Sequence, residues 1–127
     1  MVSSPIFAPF EGQKYISLET FKKNGQGVKT PVWFVLHNDA VYVYTEADSW
    51  KVKRIRNNPK VRIAVCSMRG DVKGPWLDAT ASFVDGEERR AVDKLLDRKY
   101  WLKVIFKVLS KFSGRPRAYI KITPGRA

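Results

Sequence analysis

The residues best suited to chemistry form one basic stretch from Lys51 to Arg62, which holds six lysines and arginines and no acidic residue. Asp48 or Ser49 stands where the N-cap of a short helix is expected, and Pro59 follows where the helix should end. A helix N-terminus offers unpaired N–H groups and partial positive charge, to which Lys51 adds a full charge. The pattern predicts a phosphate site, although a solvated basic helix face explains the composition equally well.

The overall charge points to an anionic partner. The chain has 127 residues, a net charge of +12 and 44% hydrophobic residues. This length and composition predict one globular domain spanning residues 1–127. Nucleic acid, an acidic membrane surface and a polyanionic cofactor all remain open as partners on charge alone.

Cysteine and histidine are too few for several classes of site. Cys66 is the one cysteine and His37 the one histidine, so neither an intrachain disulfide nor a zinc site is expected. We interpret Cys66 as buried strand filler and His37 as an exposed turn residue. Neither a secretory signal nor a membrane span is recognisable, so we expect a cytoplasmic protein without membrane association.

Alternating apolar residues predict the elements that must position the basic stretch. A short helix follows the third strand, and a longer helical pattern begins at Glu87 and continues through residues 100–112 with a face of lysines. That basic face is compatible with core packing or with an acidic membrane surface. The six predicted strands cover residues 14–21, 28–36, 41–45, 60–67, 76–84 and 118–124.

Pro31 lies inside the second predicted strand. Proline cannot donate to a strand ladder, so it is confined to edges, bulges and strand starts. Residues 28–36 therefore form either a protected edge strand or a strand whose free backbone meets a planar ligand. The complete order, β-β-β-α-β-β-α-β, predicts a mainly β, antiparallel fold that forms a small closed or split barrel.

Three motifs carry a resemblance to a known family. Thr45 with Ser49-Trp50-Lys51 and Asn57-Asn58-Pro59 resembles the pyridoxamine 5′-phosphate oxidase-like superfamily of flavin and deazaflavin oxidoreductases. Residues 30–35, residues 51–62 and Gly74-Pro75-Trp76 look like its coenzyme F420-dependent branch. The similarity covers residues 18–84 best. It implies a six-stranded, FMN-binding-like split β-barrel.

The resemblance further implies a homodimer with a cofactor cleft at the subunit interface. Residues 29–33 would run beside the tricyclic ring, Thr45, Ser49 and Lys51 would hold the phosphate, and Lys53 and Arg54 are candidates for the acidic tail. Trp33 and Trp76 either stack near the ring or pack in the core. The expected cofactor-binding residues are Lys29, Thr30, Pro31, Val32, Trp33, Thr45, Ser49, Trp50, Lys51, Lys53, Arg54 and Trp76.

Departures from the oxidases favour coenzyme F420 over flavin mononucleotide. Trp50 replaces a phosphate-clamping arginine, so a bidentate contact is lost. The flavin-contacting glutamine falls near Lys73 or Gly74, and the C-terminal arginine and histidine pair that binds substrate in the oxidases is absent. These differences argue against oxidation of pyridoxamine phosphate.

The sequence therefore predicts an F420-dependent oxidoreductase that transfers a hydride to an unsaturated or conjugated carbonyl acceptor, with no residue assigned as proton donor. A flavin mononucleotide-binding reductase or redox carrier of the same fold is the first alternative. The second is a single-strand nucleic-acid-binding barrel, because basic residues are interleaved with aromatic ones on a small barrel, although the aromatics alternate with aliphatic residues as in core strands. No RNA-binding motif supports this second alternative.

Overall fold

The computed structural model describes residues 5–100 and 116–125. A 3-10 helix (Pro5–Phe10) precedes the first strand, and the two α-helices are α1 (Trp50–Asn57) and α2 (Gly86–Lys99). The helix predicted over residues 100–112 lies outside the described residues, apart from Tyr100. The strands are β1 (Tyr15–Phe21), β2 (Gly27–Val32), β3 (Phe34–His37), β4 (Ala40–Glu46), β5 (Lys60–Cys66), β6 (Leu77–Val84) and β7 (Arg117–Pro124).

All seven strands belong to one antiparallel sheet with the order β2-β1-β5-β6-β7-β4-β3. Its two edge strands, β2 and β3, are consecutive in the chain and are separated only by Trp33. The sheet must therefore curve until its edges meet at that residue. This confirms the predicted mainly β, antiparallel split barrel.

The strand count differs from the predicted six, because the strand expected over residues 28–36 is divided. β2 pairs with β1, whereas β3 pairs with β4, and the change of partner occurs at Trp33. Pro31 lies opposite Ser17 on the edge strand β2, where its missing N–H costs no ladder bond on the open side. β2 is thus an edge strand, and contact of its free backbone with a planar ligand stays a prediction.

Alternation along the strands separates two apolar layers. The barrel interior holds side chains from β1, β3, β4, β5, β6 and β7, together with Ile55 of α1 and two phenylalanines of the 3-10 helix. On the outer face of β3, β4 and β7, α2 packs Val92 and Leu96 against Tyr42 and Tyr119. None of the helices among the described residues is long and apolar enough to cross a membrane.

Lys99, near the end of α2, gives this packing a pH dependence. Its Nζ donates to the Phe34 carbonyl oxygen at 2.9 Å and lies 3.5 Å from the centre of the Phe34 ring. Burial lowers the pKa of Lys99 from 10.5 to about 8. Between these values the unfolded chain keeps a proton that the folded chain has lost, so stability should rise with pH in this interval.

We expect the free energy of unfolding to increase from pH 8 towards 10 in urea titrations of the native chain. Above this interval the buried tyrosines oppose the trend, since burial raises the pKa of Tyr42, Tyr100 and Tyr119. In Lys99→Met the rise should be clearly smaller but not absent, because Lys51, whose pKa is also lowered, still contributes to it, while the raised pKa of Cys66 opposes it. Parallel pH profiles for the native chain and this variant would contradict the assignment.

Candidate functional site

The N-terminus of α1 is built as the sequence predicts. Ser49 is the N-cap, with extended backbone angles, and its Oγ accepts a hydrogen bond from the Val52 N–H at 3.3 Å. Val52 and Ile55 are buried against the barrel, so the helix is held by its apolar side. The helix ends at Asn58, whose N–H donates to the Arg54 carbonyl oxygen. The Ser49 hydroxyl can still donate its own proton to an anion.

Lys51 is the half-buried cation of this terminus. Burial lowers the pKa of its ammonium, the neighbouring Arg54 guanidinium lowers it further, and Glu46 partly opposes both effects. The Nε of Arg54 donates to Thr20 Oγ1 at 2.7 Å, which fixes the guanidinium on α1. Lys51 and Arg54 are thus held near each other and repel, and a bound anion would offset this repulsion.

The residues of β2 divide between the two faces of the sheet. Lys29 and Pro31 are exposed on the outer face, whereas Thr30 and Val32 are half-buried on the inner face. The hydroxyl of Thr30 is buried and has no hydrogen-bond partner in the part of the chain that the structure describes. Because side chains alternate, Thr30 and Val32 point to the opposite face from Lys29 and Pro31, and Thr30 offers a donor on the inner face.

Trp76 precedes β6 and lies against the outer face of the sheet. Lys29 Nζ and the Arg62 guanidinium each lie 5.1 Å from the centre of its ring. Arg62 also pairs with the buried Glu19 at 3.3 Å and with Asp78 at 3.7 Å. Lys29, Glu19, Arg62 and Asp78 therefore form a row of alternating charge across β2, β1, β5 and β6.

A small cavity lies beside Trp76. It has a volume of about 290 Å³. Its lining includes Lys73 and Gly74, near which the flavin-contacting glutamine of the oxidases would fall. Most of its lining side chains are apolar, and Gln13 and Lys73 provide polar groups. The cavity is lined by Pro9, Phe10, Gln13, Val65, Lys73, Gly74, Pro75, Trp76 and Leu77.

Trp33 packs with α2 rather than with the charged row. Its ring stacks on Tyr100, with 4.7 Å between the ring centres and 14° between the planes, and it tilts against Tyr44. The structure thus brings Lys29 and Trp76 together and places Trp33 in the outer apolar layer. Contact between these residues and a cofactor ring stays a prediction.

Trp50, Lys53 and Arg54 line a larger cleft beside α1, with a volume of about 610 Å³. The β1–β2 hairpin supplies the opposite wall through Phe21, Lys22, Lys23 and Val28. No pattern in the sequence predicts that the hairpin lies here. The sequence shows the paired lysines, but their proximity to α1 depends on the curvature of the sheet.

Comparison with solved structures finds this fold in proteins of different function. A heme storage protein of Vibrio cholerae, HutZ, is 20% identical, with a TM-score of 0.72 over 100% of this chain and 93% of that chain. An F420 reductase is 17% identical, with a TM-score of 0.60 over 98% and 97%. A heme-binding protein of Mycobacterium smegmatis is 13% identical, with a TM-score of 0.63 over 86% and 45%. At these identities the likeness shows the fold alone.

A search of curated protein sequences finds no match. A sequence model described as pyridoxamine 5′-phosphate oxidase matches residues 6–127, which is nearly the whole chain. The match includes α1 and its capped N-terminus, both edge strands and the charged row around Trp76. This chain is therefore a member of the pyridoxamine 5′-phosphate oxidase family.

Proposed function

We propose that the protein is an oxidoreductase that binds reduced coenzyme F420 and delivers a hydride to an unsaturated or conjugated carbonyl acceptor. The observation that carries the proposal is the pair of cations at α1. Lys51 and Arg54 are held near each other, and neither forms an ion pair with an acidic side chain of the described residues. A phosphate next to Lys51 would offset this repulsion.

The residues present fit an anionic cofactor. The Lys51 ammonium, the Ser49 hydroxyl and the first N–H groups of α1 are donors that suit a phosphate, and Thr45 lies near the end of the preceding strand β4. The buried, unpartnered Thr30 hydroxyl is a further donor available to a ligand. The acidic tail of coenzyme F420 also suits a chain of net charge +12.

In the proposed mechanism the protein binds, orients and shields the reactants. When bound, the reduced deazaflavin supplies the hydride. Lys51 and Ser49 hold the phosphate, while β2 and Trp76 orient the ring and keep water from it. The proposed assembly is a homodimer in which a second copy completes the cleft. No side chain is assigned as proton donor, and the acceptor is a small molecule.

Parallel titrations of the purified protein with coenzyme F420, flavin mononucleotide and hemin test this proposal. We expect coenzyme F420 to bind at least about tenfold more tightly than flavin mononucleotide, a difference of about 1.4 kcal/mol. The physical reason is that Trp50 stands where the oxidases use a phosphate-clamping arginine. Hemin is included because two of the similar structures are of heme proteins.

The outcomes separate the cofactors. Tighter binding of flavin mononucleotide would replace the proposal by a flavin reductase or redox carrier. Tight hemin binding without F420 binding would overturn it in favour of heme storage. If none of the three binds, the proposal is overturned and the nucleic-acid-binding alternative remains. Oligonucleotide binding by the native chain and by ring-to-alanine variants would then test that alternative.

A further inference from the structure

The 610 Å³ cleft between the β1–β2 hairpin and α1, here called the hairpin cleft, has the size of a small-molecule site. Its apolar surface comes from Phe21, Val28 and Trp50. Trp50 is 69% exposed, more than any other large apolar residue in the part of the chain that the structure describes. The cleft therefore presents apolar surface that the described part of the chain leaves uncovered.

Cations surround this apolar surface, and no acidic residue lines the cleft. Lys53 Nζ lies over the Trp50 ring, 4.4 Å from its centre, and Arg54 is fixed by Thr20. Within the described ranges 5–100 and 116–125, no ion pair neutralises the cations of the rim. The rim consists of Lys22, Lys23, Lys53 and Arg54.

This combination selects among ligand classes. Inorganic phosphate or a chain of glutamates would satisfy the cations but leave Trp50 and Phe21 exposed to water. A neutral apolar molecule would cover those rings but desolvate the cations without compensation. A ligand with both an apolar body and a negative charge satisfies both requirements.

We propose that the hairpin cleft binds a soluble organic carboxylate with an apolar alkyl or aryl body. The apolar body lies on Trp50, Phe21 and Val28, and the carboxylate meets Lys53 and the hairpin lysines. This site neighbours the phosphate position at α1 and shares Arg54 with it, but Lys51 and Ser49 do not line the cleft. It replaces the sequence-based assignment of Lys53 to an acidic cofactor tail, and it goes beyond the proposed reductase activity.

The test uses the full chain without any cofactor and anilinonaphthalene sulfonate as an anionic aromatic probe. We expect saturable fluorescence enhancement that decanoate reverses. In Lys53→Glu and Lys22→Glu the dissociation constant should rise at least about tenfold, since each variant replaces an attractive charge by a repulsive one. Trp50→Ala should weaken binding through loss of apolar contact, without harm to the fold, because its ring is exposed.

Lys94→Glu is the matched control, because it reverses one exposed lysine on α2 outside the cleft. It should leave probe binding within about twofold of the native chain. Equal weakening by Lys94→Glu and Lys53→Glu would reduce the effect to net charge and overturn the proposal. Unchanged binding in Lys53→Glu would do the same.

Two further arms identify the ligand class. Displacement of the probe by triglutamate but not by decanoate would assign the cleft to an acidic tail and overturn the proposal. Equally tight binding of neutral phenylnaphthylamine would remove the role of the cations. Lys51→Ala should still bind the probe. A failure of the cofactor proposal can therefore be distinguished from a failure of this one.

Discussion

Replacement of Lys51 by alanine should weaken coenzyme F420 binding by about 1.5–3 kcal/mol, or roughly 10- to 150-fold in Kd. The half-buried ammonium lies in the first turn of α1, where the capped helix N-terminus already favours an anion. A charge-assisted hydrogen bond in a partly dehydrated position is worth more than one at the surface. Fluorescence titration of the purified variant at moderate salt measures the loss.

The same replacement should leave stability unchanged or higher. Burial and Arg54 already disfavour the charged form of Lys51 in the folded state, so removing it relieves a cost. Urea unfolding should therefore give a midpoint at or above that of the native chain. A loss of affinity together with retained stability is the expected signature of a binding residue that the fold does not need.

Lys60→Ala provides the control for this prediction. Lys60 is exposed at the start of β5, beyond the other end of α1, and its removal changes net charge by the same amount. It should reduce affinity by less than about twofold at moderate salt. Similar losses in both variants would mean that the cofactor responds only to overall charge, which contradicts a phosphate site at α1.

The sequence predicts the elements of this fold well because their causes are local. The N-cap expected at Asp48 or Ser49 and the stop expected before Pro59 arise within one short segment, and the structure contains the cap at Ser49 and the stop at Asn58. The alternation in β4 likewise separates Val41 and Val43 from Tyr42. Capping and periodicity need no knowledge of distant residues.

Features caused by distant residues could not be predicted. The second strand is divided at Trp33, where its two parts pair with different partner strands and where Tyr100, far along the chain, accepts a hydrogen bond from the Phe34 N–H. The pairing of Glu19 with Arg62 requires the register of β1 against β5. Identification of the hairpin cleft similarly requires the hairpin and α1 to be placed side by side.

The predicted cofactor site, which stays a prediction, combines local and distant features. Lys51 and its cap lie within one local motif, whereas residues 29–33 are expected to run beside the ring as one strand. Strand pleating turns Lys29 and Pro31 away from Thr30 and Val32, so this strand has two faces. A motif match assigns residues to a site without stating which of their side chains point towards it.

A second large effect is expected from Tyr100→Phe, at the break between β2 and β3. The Tyr100 hydroxyl accepts from the Phe34 N–H at 3.1 Å and donates to the Lys14 carbonyl oxygen at 2.6 Å. Its ring is buried and also stacks on Trp33, and phenylalanine preserves that stacking. The substitution therefore removes only the hydroxyl, which hydrogen-bonds the backbone of Lys14 before β1 and of Phe34 at the start of β3.

We expect Tyr100→Phe to lower the free energy of unfolding by about 1–3 kcal/mol in urea titrations, because Phe34 is fully buried and water cannot replace the lost partner. Tyr119→Phe is the comparison. Its hydroxyl donates to Asp93, which is only half-buried and can turn to water, so its loss should stay near 1 kcal/mol or below. A Tyr100→Phe variant as stable as the native chain would show that β2 and β3 separate without this hydroxyl. The larger loss at Tyr100 would instead show that the hydroxyl of this residue, the C-cap of α2, stabilises the break between β2 and β3 at Trp33, beside the strand proposed to face the cofactor.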